Sequence, residues 1–193
     1  MGEVEGQIRN EQLDAEREAR RRAALTQVRQ YPDSVLRLQA REVDEFDESL
    51  ATLADRMTKL MQEARGVGLA ATQLGILRRV LVYQTGEEDP VRVLVNPRLA
   101  STSEERVTDD EGCLSLAAAT VVVPVERAQA VTIEAQSPSG EAVVIEAEGL
   151  EARVILHEID HLDGVLIIDR TAPEHRREAL AKLRPQPVLA PLS

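Results

Sequence analysis

Apolar residues recur at steps of three and four through Val43, Phe46, Leu50, Leu53, Met57, Leu60, Met61 and Ala64, the spacing that gathers side chains on one helical face. This predicts an amphipathic helix, with Gly66 as the left-handed residue that ends it. The period then changes to that of strands. β-Branched runs at 79–83, 91–95, 121–125, 131–136 and 143–147 predict strands, and Ser137-Pro138-Ser139-Gly140 predicts a hairpin turn between the last two. From 150 to 162 apolar residues spread around most of a helical circumference, which predicts a buried helix ended by Gly164. Residues 165–168 read as a last strand, and 173–184 have the composition of a closing helix before a Pro-rich tail. Residues 10–30, by contrast, mix charged residues, Gln and Ala without apolar periodicity, which predicts a solvated helix or loose arm outside the main core. Tyr31-Pro32-Asp33-Ser34 then reads as a turn.

With 193 residues, 43% of them hydrophobic, the chain has length for one sizeable core. Its 34 acidic and 23 basic residues give a formal charge of -11, which opposes DNA and anionic membrane surfaces over most of the molecule. The aromatic residues are Tyr31, Phe46 and Tyr83, so the core must be aliphatic and base-stacking platforms are not expected. The lone cysteine, Cys113, cannot form an internal disulfide, and no apolar run approaches the roughly 20 residues that span a bilayer. The first residues lack a basic segment followed by an apolar one, and Gly6 stands where a myristoylation signal wants Ser or Thr. A reducing cytoplasm is the expected location.

The strongest chemical signal is His157-Glu158-Ile159-Asp160-His161. Histidines four apart on a helix project from the same side, so two imidazoles can grip one ion, and the glutamate between them can act as general base toward its water. The plainer reading is two core histidines bonded to backbone. Burial argues against it: adjacent unliganded imidazoles need separate partners, and Glu158 beside them carries a large desolvation cost unless a cation is near. A catalytic site of this kind takes three protein ligands and leaves a position for water. Cys113, in Glu111-Gly112-Cys113-Leu114-Ser115, is the leading candidate for the third, although a buried free cysteine taken alone is more often a small core hydrophobe. Gly66-Val67-Gly68-Leu69-Ala70-Ala71-Thr72-Gln73 lets the chain pass close to another surface and ends in an amide side chain. In isolation it reads equally as a packing device.

Taken in order, these three segments resemble the three signatures of the peptide deformylase family, and the likeness runs from about residue 28 through 183. The resemblance implies an α+β fold, with small antiparallel or mixed sheets wrapped around a central buried helix that carries the His-Glu-x-x-His motif. It divides the chain into an arm at 1–27, a catalytic domain at 28–184 and a tail at 185–193. It implies a hydrolase that removes the formyl group from the N-terminal formyl-methionine of new polypeptides in the bacterial cytoplasm. Cys113, His157 and His161 would hold one Fe2+, with Zn2+, Ni2+ or Co2+ able to substitute, and Glu158 would carry the proton. By the same resemblance, Gln73 and the backbone N–H of Leu114 would stabilise the oxyanion, and Gly66, Gly68 and Leu69 would line the substrate. The closing helix at 170–184 carries Arg170, Arg176, Arg177, Lys182 and Arg184; it reads as a solvated helix, or as a surface docking near ribosomal RNA. The sequence departs from the family pattern at Leu116-Ala117-Ala118-Ala119-Thr120, where many relatives have an aliphatic residue and proline and some carry an arginine near the place of Thr120. Rival readings are a zinc endopeptidase, which shares the histidine motif, an enzyme using Cys113 as nucleophile, and a metal protein without activity.

Overall fold

The computed structural model describes residues 2–183. Helix α1 spans Gly2–Leu25 and α2 spans Glu48–Ala64. The strands are β1 Gly68–Ala70, β2 Val80–Tyr83, β3 Arg92–Thr102, β4 Arg106–Gly112, β5 Val122–Ala128, β6 Ala130–Gln136 and β7 Ala142–Glu148. Helices α3 Gly149–Leu162, α4 Ile167–Arg170 and α5 Pro173–Leu183 follow. The architecture is α+β. One sheet has the order β1-β2-β3-β6-β7 and a two-stranded ribbon pairs β4 with β5, every pairing being antiparallel.

The long amphipathic helix forms as the period predicts, but it starts at Glu48, where the Asp47 carboxylate caps it by accepting from the Leu50 N–H at 3.1 Å. Its left-handed terminal residue is Arg65, with φ 58, and not Gly66. Gly66 is constrained by space instead, since a Cβ there would meet Leu114 Cδ1 at 2.9 Å. Leu50, Met57 and Met61 on its inner face are fully buried, each stabilising the fold by about 2 kcal/mol. They pack against Leu69, Val80, Val82 and Val95 on one face of the large sheet. Ala24 and Val28 join this cluster, so the end of α1 belongs to the core and only its earlier described side chains are solvated.

The strands expected at 79–83, 91–95, 121–125, 131–136 and 143–147 form, and the 137–140 turn closes the last hairpin with Gly140 at φ 86. Two corrections are needed. Strand β4 gives no alternating pattern in the sequence, because six of its seven residues are exposed, three of these, Arg106, Asp109 and Asp110, are charged, and the one buried residue is Glu111. The run at 165–168 is no strand: Ile167–Arg170 is a short helix whose start is fixed by Asp169 accepting the Leu166 N–H at 2.9 Å. A four-residue apolar run carries no period that separates the two states. Helix α3 covers the other face of the sheet, packing Ala152, Ile155, Ile159 and Leu162 against Leu81, Leu94, Ile133 and Ile145. A third cluster joins β5, α4 and α5 to Leu36, Cys113 and Leu116, and so ties the thiol to the closing helix.

Candidate metal centre

Helix α3 is entered through Gly149, at φ 58, directly after β7, and the chain leaves it through Gly164 at φ 74. A Cβ at 164 would lie 2.6 Å from the Arg37 carbonyl oxygen, so glycine is required for packing as well as for conformation. The helix packs against β1, β2, β5, β6 and β7, which fixes the rotation of its polar residues. On it the rings of His157 and His161 lie with centroids 5.0 Å apart. Cys113, one residue past β4, brings its Sγ to 3.1 Å from His161 Nε2. One ligand atom from each of Cys113, His157 and His161 falls within 4.8 Å of the others. A thiolate with two imidazoles is a borderline-soft donor set that suits Fe2+ or Zn2+, so the residues present fit a divalent ion.

The surroundings prepare these groups. His157 Nδ1 donates to Glu111 Oε2 at 2.9 Å, which leaves Nε2 for an ion. Burial alone would lower the His157 pKa, but its contacts with Cys113 and Glu111 outweigh that and raise it well above the usual value. His161 is pushed well below the usual value, by burial and then by the charge on His157. Burial pushes the Glu158 carboxyl up to about 7, against the pull of His157 and Arg127. Its Oε2 is buried without a hydrogen-bond partner among the described residues.

Glu111 anchors a buried charge network that sequence reading missed. Arg127 grips it with two bonds of 2.6 and 2.9 Å, and Arg153 adds one of 2.7 Å. Arg127 also reaches Asp160 at 2.9 Å, and Arg170 closes on Asp160 at 2.6 and 3.1 Å. Burial would raise the Glu111 pKa, but hydrogen bonds from His157 and Arg127 bring it down to about 2. Two members of this network, Arg153 and His157, stand four residues apart on α3 and so share one face of the helix. The partner strands that complete it could be found only through the fold.

A cleft of about 230 Å³ opens onto the site, lined by Gly66, Val67, Gly68, Gln73, Cys113, Leu114, His157 and Glu158 among others. Gly66, Gly68, Gln73 and Leu114 therefore line one cavity together with Cys113 and His157. The Leu69 side chain instead is fully buried in the core beneath. Beyond Ser115 the altered loop winds left-handed, with φ 49, 53 and 65 at Ala117, Ala118 and Ala119, and Ala119 forms part of the cleft wall.

Residues 25–177 match the family model described as polypeptide deformylase. The chain belongs to the peptide deformylase family. The peptide deformylase of Clostridium botulinum is 49% identical over 148 residues, covering 77% of this chain and 97% of that protein. Peptide deformylase 1 of Corynebacterium glutamicum is 44% identical over 163 residues, covering 83% and 95%. Among solved structures, that of a peptide deformylase from Legionella pneumophila superposes with a TM-score of 0.76 at 40% identity, covering 81% of this chain and 91% of that one. Peptide deformylases are metal-dependent hydrolases that take N-formyl groups from nascent polypeptides, and Cys113, His157 and His161 form a candidate metal site in this chain. Among the described residues no helix is long and apolar enough to cross a membrane.

Proposed function

We propose that this chain hydrolyses the formyl group from N-terminal formyl-methionine, releasing formate, with Cys113, His157 and His161 holding one Fe2+ in the bacterial cytoplasm. The observation that carries this reading is the convergence of Cys113 with the two histidines of α3, beside a buried carboxylate that lines a cleft of about 230 Å³. When bound, the ion supplies Lewis acidity and lowers the pKa of water; Zn2+, Ni2+ or Co2+ would serve the same ligands. Glu158 takes the proton of the attacking water and later returns it to the departing amine, a role that a carboxyl raised to about 7 suits. The Gln73 amide and the Leu114 N–H donate to the oxygen that gains charge at the formyl carbon, each worth about 3 kcal/mol. Gly66, Gly68 and the Leu69 backbone form the substrate edge of the cleft. In this reading α3 is the central helix of a catalytic domain at 28–184, between an arm at 1–27 and a tail at 185–193; residues 184–193, the tail and Arg184 among them, lie outside the described residues. Ribosome docking through 170–184 would rest on Arg177, Lys182 and Arg184, since Arg170 and Arg176 are engaged by Asp160 and Asp169.

Formate release from formyl-Met-Ala by anaerobically purified, iron-loaded protein tests the reading, alongside cleavage of an unformylated internal peptide. Turnover of the unformylated peptide alone would favour the endopeptidase and reject deformylation.

Two substitutions probe the supports of the site. A Cβ at position 68 would lie 2.8 Å from both Cγ and Cδ of Glu158, so Gly68→Ala should displace the carboxylate. Turnover should fall by about 10²-fold with metal content unchanged; unchanged kcat would remove Glu158 from the reaction. In Glu111→Gln, the His157 acceptor is weakened and two arginines lose a buried counter-charge. Metal affinity measured by chelator competition should drop by about 10- to 100-fold, whereas parental affinity would mean that Glu111 serves the fold alone.

A further inference from the structure

The Gln73 side chain is fixed at both ends of its amide. Its Oε1 accepts the Ala70 N–H at 2.8 Å, and because that backbone group can only donate, the amide cannot be turned over. Its Nε2 therefore faces the other way, donating to Ser115 Oγ at 3.1 Å and lying 3.8 Å from Cys113 Sγ. A primary amide has two N–H bonds in one plane. With one committed to Ser115, the second is aimed along the Cys113 side of the amide, toward the candidate metal site. The acceptor is as rigid as the donor. Ser115 is fully buried, its carbonyl accepts the Tyr31 N–H at 2.9 Å, and the Gln73 carbonyl accepts the Arg29 N–H at 2.7 Å. The segment following α1 thus ties the backs of both residues to one stretch of chain.

We propose that Ser115 is a positioning residue for the deformylation reaction: its hydroxyl holds the Gln73 carboxamide in the one rotation that presents an N–H to the developing oxyanion. This rests on the assignment of Gln73 as an oxyanion donor. Preorganisation is what gives such a donor its value, since a donor that must reorient during the reaction loses much of it. Without the hydroxyl, Oε1 stays on Ala70, but the amide plane is free to rock about that single bond. Ser115 touches neither substrate nor ion in this scheme, so its effect belongs in kcat, with KM and metal content near parental.

The test is a double-mutant cycle on the iron-loaded full chain with formyl-Met-Ala, following kcat, KM, metal content and melting temperature. Ser115→Ala is expected to lower kcat by about 10-fold, a part of the 10²- to 10³-fold lost when an oxyanion donor is removed outright. In the Gln73→Ala background the same change should alter kcat by less than about twofold, because the group it positions is gone. Equal losses from Ser115→Ala in both backgrounds, or no loss in either, would overturn the positioning role. Should Ser115→Ala not fold, Ser115→Thr, which keeps the hydroxyl, must retain kcat near parental; a folded, iron-loaded Ser115→Thr chain tenfold slower in both backgrounds counts equally against it. A Gln73→Ala enzyme with parental kcat is a different failure, that of the Gln73 assignment itself.

Discussion

Glu158→Ala is expected to keep its metal and lose about 10⁴-fold in formate release, the upper range for a positioned general base. The carboxylate is buried at 4% exposure between the two histidines in sequence, yet it is not one of the three converging donors, so removing it leaves the ligand set whole. Stability should not fall with activity. Burial is the main cause of the raised Glu158 pKa, so ionising this carboxyl costs the fold free energy at neutral pH, and alanine removes that cost. The combination of full metal content, an unchanged or higher melting temperature and near-absent turnover identifies a proton carrier. Parental turnover would refute the role, and loss of metal would recast Glu158 as a ligand.

His161→Ala has the second large effect, on binding and stability together. Its ring is 2% exposed and its Nε2 lies 3.1 Å from Cys113 Sγ, so two donors remain where three converged. Metal that binds only the folded chain stabilises it by about 4 kcal/mol at a thousand times its Kd. The variant should lose that increment, and its melting temperature should be the same with and without a chelator, while the parent's drops on chelation. A variant that still loads one equivalent of metal with parental affinity would show that His161 is not a ligand.

Much of this site is legible in the sequence because its chemistry is local. The pair at 157 and 161 announces itself through helical spacing, and the period of α2 follows from its buried stripe. Cys113 is harder, since one thiol in a turn has no period; only its company in Glu111-Gly112-Cys113-Leu114-Ser115 marks it. The charge network around Glu111 is not legible at all. Arg127 sits on β5, Glu111 on β4 and Asp160 on α3, and their meeting depends on a strand too exposed and too charged to give an alternating pattern. The same limit produced the errors at Gly66 and at 165–168. In both places a tertiary contact, Leu114 against Gly66 and the burial of Ile167 and Ile168, decided what local preference left open.

The central claim is that Cys113, His157 and His161 bind one ion together. X-ray absorption at the metal edge of protein loaded with one equivalent of Zn2+ tests it most directly. The account predicts one sulfur at about 2.3 Å and two imidazole nitrogens at about 2.0–2.1 Å, the sulfur vanishing in Cys113→Ala. A first shell of nitrogen and oxygen alone in the parent protein would contradict it.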